Sequence, residues 1–260
     1  KMAVFADASA SRGVLILRDQ LSPAELTVLR SECQSLRPRC ADLHSEHCVL
    51  EVLPMESVTE SSSVRTDAEA YWAARCAQTR STLPELKQLL SIKLPAIAAS
   101  ALAPERSTFL FNEHYVVKPA RIGGPFRWHT DAAHQLEALY ALGQPPDALP
   151  AYVSLWCPLD DIDATNGSLL LLPRDAPQPP GAPWHEPADA ACEAWLDGPG
   201  AAHLVRADLR AGDVVAFGAD VWHASEPNRS AAERRVYYAQ YSVAPICSGG
   251  SPLAVAVPCG

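Results

Sequence analysis

The chain has 260 residues, 48% hydrophobic and 20% charged, with a formal net charge of −9. That composition fits a globular protein able to bury a sizeable core and excludes disorder as the default. The acidic excess, with no basic stripe to offset it, argues against nucleic acid as a partner, and the longest apolar runs, such as 168–173 and 253–257, are too short to span a bilayer.

Residues 1–13 lack the apolar stretch and small-residue cleavage site of a secretory signal. The eight cysteines, at 33, 40, 48, 76, 157, 192, 247 and 259, form no Cys-x-x-Cys pair. Their scatter reads as reduced thiols that behave as small buried hydrophobes, which implies a cytoplasmic or organelle-matrix setting. At this length a β barrel or sandwich is commonly one domain. The chain divides into a helical buttress with a candidate lid over 1–105, a β core over 106–245 and a tail over 246–260.

In chain order, Gly13 precedes a short apolar strand. Ser22-Pro23-Ala24-Glu25 is a capping box with proline at the first helical position, so a helix is expected over 23–36 with Leu26, Leu29 and Cys33 buried. Residues 37–66 carry a serine run and two histidines and read as a loop or lid. Within them His44, His47 and Cys48 lack a fourth partner for a metal cluster. Helices are expected over 67–76 and 84–101, the second kinked or ended by Pro95.

Strand signals then dominate. They cover 107–117, then Phe126 onward after Gly123-Gly124-Pro125, and then 151–159, where Tyr152, Ser154 and Trp156 alternate with Val153, Leu155 and Cys157. Asn166-Gly167 reads as the turn of a hairpin returning along 168–172. The proline-rich stretch 173–187 is a surface loop and a second candidate lid. Further strands are expected at 203–208, 213–217 and 234–243, with a turn at Ala211-Gly212 and no element assigned to the tail.

The stretch from Phe126 to Asp131 holds His129 and Asp131 two residues apart, on one face if the strand continues. Such a pair arises about once by chance in a chain of this composition, and His44-Ser45-Glu46 is another. The first pair differs in its company, because Gly212-Asp213 leads through Trp222 into His223, and Arg234 follows eleven residues later. Two imidazoles and a carboxylate can occupy one face of an octahedral Fe(II), leaving three positions open for a co-substrate and oxygen. A later arginine can hold a co-substrate carboxylate through a planar bidentate pair that lysine cannot reproduce.

Together with Tyr115 to Pro119, Gly123-Gly124, Trp128-His129-Thr130-Asp131, Asn166-Gly167-Ser168-Leu169, Leu172-Pro173, His223-Ala224-Ser225 and Asn228, these residues resemble the phytanoyl-CoA dioxygenase family of Fe(II)- and 2-oxoglutarate-dependent oxygenases. The resemblance implies a mainly β fold with flanking helices, a double-stranded β-helix or cupin-like jelly roll. It implies His129, Asp131 and His223 as iron ligands and Arg234, chosen over Arg235 by the family's spacing, as the partner of 2-oxoglutarate. Lys118, Thr130, Trp156 and Ser225 look like further lining of the co-substrate pocket, weighed evenly against a solvated lysine, a strand threonine, a core tryptophan and a turn serine. Asn112 is a weaker candidate of the same kind, and His134 is either near substrate or a surface histidine.

The implied reaction is hydroxylation of a small molecule by O₂, with release of succinate and CO₂. Asp131 separates the chain from halogenating relatives, which lack the carboxylate. Pro173-Arg174-Asp175 stands where many members have Gly-Ser-His. Two other readings compete: a divalent-metal hydrolase or isomerase on a jelly roll, and a non-catalytic binding protein.

Overall fold

In this computed structural model the described residues are 12–39, 48–53, 62–79, 84–102, 107–141, 143, 146–181, 183–252 and 255–259. The first helix, Pro23–Leu36, starts where its capping box places it. The Ser22 hydroxyl accepts the Glu25 N–H at 3.2 Å and Glu25 accepts the Ser22 N–H at 2.7 Å, which satisfies two of the orphaned first-turn donors. Ala68–Thr79 forms the next long helix.

Pro95 neither ends nor breaks the following one. Pro84–Gln88 continues through a π-helical stretch, Leu89–Lys93, into Leu94–Leu102. The Leu94 N–H reaches back to the Leu89 carbonyl, so a widened turn absorbs the proline instead of a stop.

The β core consists of two antiparallel sheets. In the larger, β1 (Val14–Leu17), β8 (Val214–Gly218), β5 (Tyr152–Pro158), β10 (Arg234–Ser242) and β3 (Thr108–Lys118) lie side by side in that order. β2 (Cys48–Glu51) and β11 (Val257–Cys259) share the remaining edge of β3, pairing with opposite ends of it. The smaller sheet runs β4 (Phe126–His129), β9 (His223–Ser225), β6 (Leu169–Leu171) and β7 (Val205–Ala207). The tail therefore contributes a strand to the main sheet. The expected hairpin is corrected: β5 and β6 belong to different sheets, so the turn before Gly167 carries the chain across the sandwich. β6 pairs with β7 and β9 instead.

Period-two alternation explains why the larger sheet is buried on both faces. Tyr115, Leu155, Ala216, Tyr237 and Ala239 face the helices, packing with Leu29, Cys33, Tyr71, Trp72, Leu90 and Leu94. Their neighbours Val116, Trp156, Val215, Val236 and Tyr238 face the smaller sheet and meet Leu169, Leu171 and Ala207. This is the expected mainly β architecture with flanking helices, a double-stranded β-helix. Helices Asp131–Ala141 and Ala190–Asp197 lie in stretches where the sequence reading placed none.

Cys33, Cys76, Cys157, Cys192, Cys247 and Cys259 are free, but Cys48 is disulfide-bonded, which corrects the expectation of uniformly reduced thiols. Spacing along the chain does not reveal which Cα atoms come within disulfide reach. His44, His47 and most of the 37–66 lid reading lie outside the described residues. Among those described, no helix is long and apolar enough to cross a membrane.

Candidate functional site

His129 ends β4 and His223 begins β9, and the two are directly paired in the ladder between these strands. Asp131 joins them by a route the sequence did not suggest. The strand stops at His129, and Asp131 is the first residue of the helix Asp131–Ala141. Thr130 makes the break, its hydroxyl accepting the Ala133 N–H at 3.1 Å as a helix cap and donating to the Trp184 carbonyl. The shared-strand-face argument for His129 and Asp131 is thereby corrected, since a capped turn rather than β periodicity aims the carboxylate. Helix formers from Ala132 onward carried the missed signal.

One ligand atom from each of His129, Asp131 and His223 lies within 4.8 Å of the others. Nδ1 of His129 donates to the Arg127 carbonyl at 2.7 Å, and Nδ1 of His223 donates to the Val221 carbonyl at 2.9 Å. A carbonyl can only accept, so each Nδ1 carries the proton and each Nε2 keeps its lone pair for a metal. Burial, reinforced by the neighbouring His223, lowers His129 to about 4, which keeps it neutral. For Asp131, burial alone would raise the pKa. The imidazoles of His223 and His129 and hydroxyls from Ser154 and Tyr238 outweigh it and hold the carboxyl below its usual range.

These residues line one cavity of about 340 Å³ together with Arg234, Trp156, Ser225, Asn112, His114, His134, Gln135, Tyr238 and Gln240. Arg234 is 1% exposed, yet among the described residues its one hydrogen bond runs from Nη2 to the Gly167 carbonyl at 3.2 Å, and Nε and Nη1 are buried with no partner there. Its guanidinium lies over the Trp156 ring at 5.3 Å. Burial, only partly opposed by Asp160, lowers Arg234 to about 9. Arg235 points the other way, into a bidentate pair with Asp160 at 2.9 and 2.7 Å.

Lys118 faces Arg234 across the β3–β10 ladder and is fully buried. Its ammonium donates to Ser225 Oγ at 2.7 Å and to the Ser225 and Glu226 carbonyls. Burial and the nearby Arg234 push it down to about 6. A methyl on Gly167, which has φ +105, would lie 3.2 Å from Arg234 Nη2 and 3.3 Å from Lys118 Cδ, so only glycine leaves both cations their room. Arg234 lines the cavity, whereas Lys118 lies behind the wall with Ser225 between it and the space.

Of the other sequence-derived candidates, Trp156 and Ser225 line the cavity and Thr130 does not. Asn112 donates to Gln240 Oε1 at 2.9 Å. His134 is exposed on the helix and lines the cavity, its ring 6.0 Å from that of His129. Asn228 is a structural clamp, donating to the Lys118, Pro119 and Ala232 carbonyls. Asp213 is another, accepting from Arg18, Asp19 and Arg210. Sequence reasoning missed His114, Tyr238 and Gln240 as cavity residues. Strand parity from Arg234 reaches Tyr238 and Gln240 in steps of two, which was the available signal.

The sequence profile of the phytanoyl-CoA dioxygenase family matches residues 10–236. No curated protein sequence matches significantly. Among solved structures, the non-heme alpha ketoglutarate dependent carbocyclase SnoK from nogalamycin biosynthesis superposes with a TM-score of 0.64 at 19% identity, over 95% of this chain and 86% of its own. The epimerase SnoN in complex with Fe3+, alpha ketoglutarate and nogalamycin RO gives 0.62 at 16%, over 100% and 95%. EctD from S. alaskensis in its apoform gives 0.62 at 17%, over 98% and 83%. At these identities the likeness concerns the fold.

Proposed function

We propose, from the premise that this chain belongs to the phytanoyl-CoA dioxygenase family, that it is an Fe(II)- and 2-oxoglutarate-dependent oxygenase hydroxylating a small molecule with release of succinate and CO₂. The observation that carries this reading is Arg234, a buried guanidinium with two unpartnered nitrogens in the same cavity as the His129, Asp131 and His223 cluster. A buried charge left unsatisfied costs free energy unless a ligand completes it. A dicarboxylate with one end on the metal and the other on Arg234 does so through charge-assisted bonds.

Both groups fit the residues present. His129 and His223 supply neutral imidazole nitrogens and Asp131 a carboxylate, the donor set of an open facial site. Bound there, iron and 2-oxoglutarate supply an oxidant strong enough to take hydrogen from an unactivated C–H bond. The chain's own residues bind and orient. Arg234 holds the distal carboxylate, Trp156 braces the guanidinium, and Lys118, its donors taken by Ser225 and Glu226, supports the wall behind it. Apolar walls at Val116, Phe126 and Leu169, beside Ser225, exclude water from the Arg234 end.

Carbocyclase and epimerase neighbours set the second reading, oxidation without net hydroxylation. Incorporation of labelled oxygen into product, against its absence, separates the two. The primary test is anaerobic titration of apo-protein with Fe(II) and 2-oxoglutarate. A visible charge-transfer band that weakens in Arg234→Ala and His223→Ala is the expected result. Tight metal binding with no band would overturn the oxygenase reading in favour of a divalent-metal hydrolase or isomerase.

A further inference from the structure

We propose that Ser154, Tyr238 and Gln240 form a positioning relay that locks Asp131 as a one-oxygen metal ligand and ends at the cavity wall on Asn112. The inference rests on the metal reading above and concerns three side chains that touch no metal themselves.

Proton bookkeeping fixes every bond. Ser154 Oγ and the Tyr238 hydroxyl both contact Oδ2 of Asp131. An ionised carboxylate only accepts, so both hydroxyl protons point at Oδ2. Both hydroxyl oxygens must then accept from elsewhere, and Gln240 Nε2 lies 3.1 Å from each. Its two amide protons serve one hydroxyl apiece. That turns Gln240 Oε1 toward Asn112, whose Nδ2 donates to it at 2.9 Å. Asn112 lines the cavity.

The relay's effect is at the metal. With Oδ2 held by two hydroxyl donors, Oδ1 is the free oxygen, and it lies 3.6 Å from His223 Nε2 among the ligand atoms. A carboxylate held this way does not swing to bind through both oxygens, so the coordination position a second oxygen would take stays open for co-substrate or O₂. Donation into Oδ2 also draws charge away from Oδ1 and leaves the metal more electrophilic. The relay side chains come from adjacent strands of the larger sheet, Asn112 on β3, Tyr238 and Gln240 on β10 and Ser154 on β5, so the backbone ladders set their spacing.

The test uses Co(II) in place of Fe(II), with affinity read by calorimetry and coordination by the visible Co(II) spectrum, without co-substrate. Tyr238→Phe and Ser154→Ala should each weaken Co(II) binding by about 10–100-fold, the usual effect of removing such supporting partners, and alter the spectrum. Ser154→Thr keeps the hydroxyl and should retain affinity. Gln240→Met should weaken binding although residue 240 touches no ligand atom, and its effect should be non-additive with Tyr238→Phe, because Gln240 acts only through the hydroxyls. The relay is overturned by affinity within about twofold of the parent in the Tyr238→Phe/Ser154→Ala double variant, or by strict additivity in the Gln240 cycle. Apo-protein thermal unfolding checks that each variant folds. Failure of the parent protein to bind Co(II) is a separate result that removes the metal reading, and the relay with it.

Discussion

Arg75 and Arg234 are both 1% exposed and both lie against the larger sheet, on opposite faces, yet they are treated in opposite ways. On the helical side, Arg75 donates to Glu32 at 2.6 and 2.8 Å and to Glu113 at 2.8 and 3.0 Å. Tyr71 and Tyr237 add hydroxyls to Glu113, and Tyr115 adds one to Glu32. Burial alone would lower the Arg75 pKa, but the carboxylates of Glu113 and Glu32 hold it far above its ordinary value. On the cavity side, Arg234 has one carbonyl and a tryptophan face, and its pKa falls. A buried charge with every nitrogen matched is part of the scaffold, and one left short of partners is, on the proposed reading, where a co-substrate carboxylate binds.

The contrast is sharpest in stability. Arg75→Met should strand two buried carboxylates and cost about 3–5 kcal/mol, read by urea unfolding. Arg234→Met removes a charge that the apo-protein does not satisfy, so it should change apo stability by no more than about 1 kcal/mol while costing about 2–5 kcal/mol in 2-oxoglutarate binding. Equal stability losses in the two variants would break the comparison.

Gly167→Ala should destabilise by about 1–3 kcal/mol, because its φ of +105 suits glycine and the new methyl would meet the Glu226 carbonyl at 2.8 Å. It should also weaken 2-oxoglutarate binding by crowding Arg234, which a parallel titration checks. Tyr237→Phe removes one donor from Glu113 and should cost about 1.5–3 kcal/mol by the same unfolding measurement, with metal and co-substrate binding unchanged.

The smallest effect expected is on pH dependence. Lys118 titrates near 6 in the folded protein, below its unfolded value, so unfolded chains bind a proton that folded ones lack from about 6 up to the ordinary lysine range. Apo stability should therefore rise with pH across that window, carrying the full penalty below about 6. Lys118→Met should flatten the slope. An unchanged slope in Lys118→Met would place the titration elsewhere.

Much of this was written locally in the chain. The capping box at Ser22, the alternation along Tyr152–Pro158 and the long strand from Arg234 depend on residues a few positions apart, so sequence periodicity revealed them. His129, Asp131, His223 and Arg234 were candidates in the sequence because ligand chemistry restricts residue type and the family resemblance implies the eleven-residue spacing from His223 to Arg234. What sequence could not supply was pairing across the chain. That β6 joins β7 and β9 instead of β5, and that Asp131 reaches the two imidazoles from a capped helix, depends on partners far away in sequence.

The same holds for buried charge. Sequence named Arg234 as a candidate but gave no reason to single out Arg75, Glu32 or Glu113, residues of types that are usually exposed. Periodicity determined that helices lead and that the second half is mainly β, because that is set by the local match between side-chain pattern and backbone period, while the double-stranded β-helix was implied by the family resemblance. Only the tertiary structure decided which buried charges are satisfied and which wait for a ligand, because hydrogen-bond satisfaction belongs to the three-dimensional neighbourhood and not to any single stretch of chain.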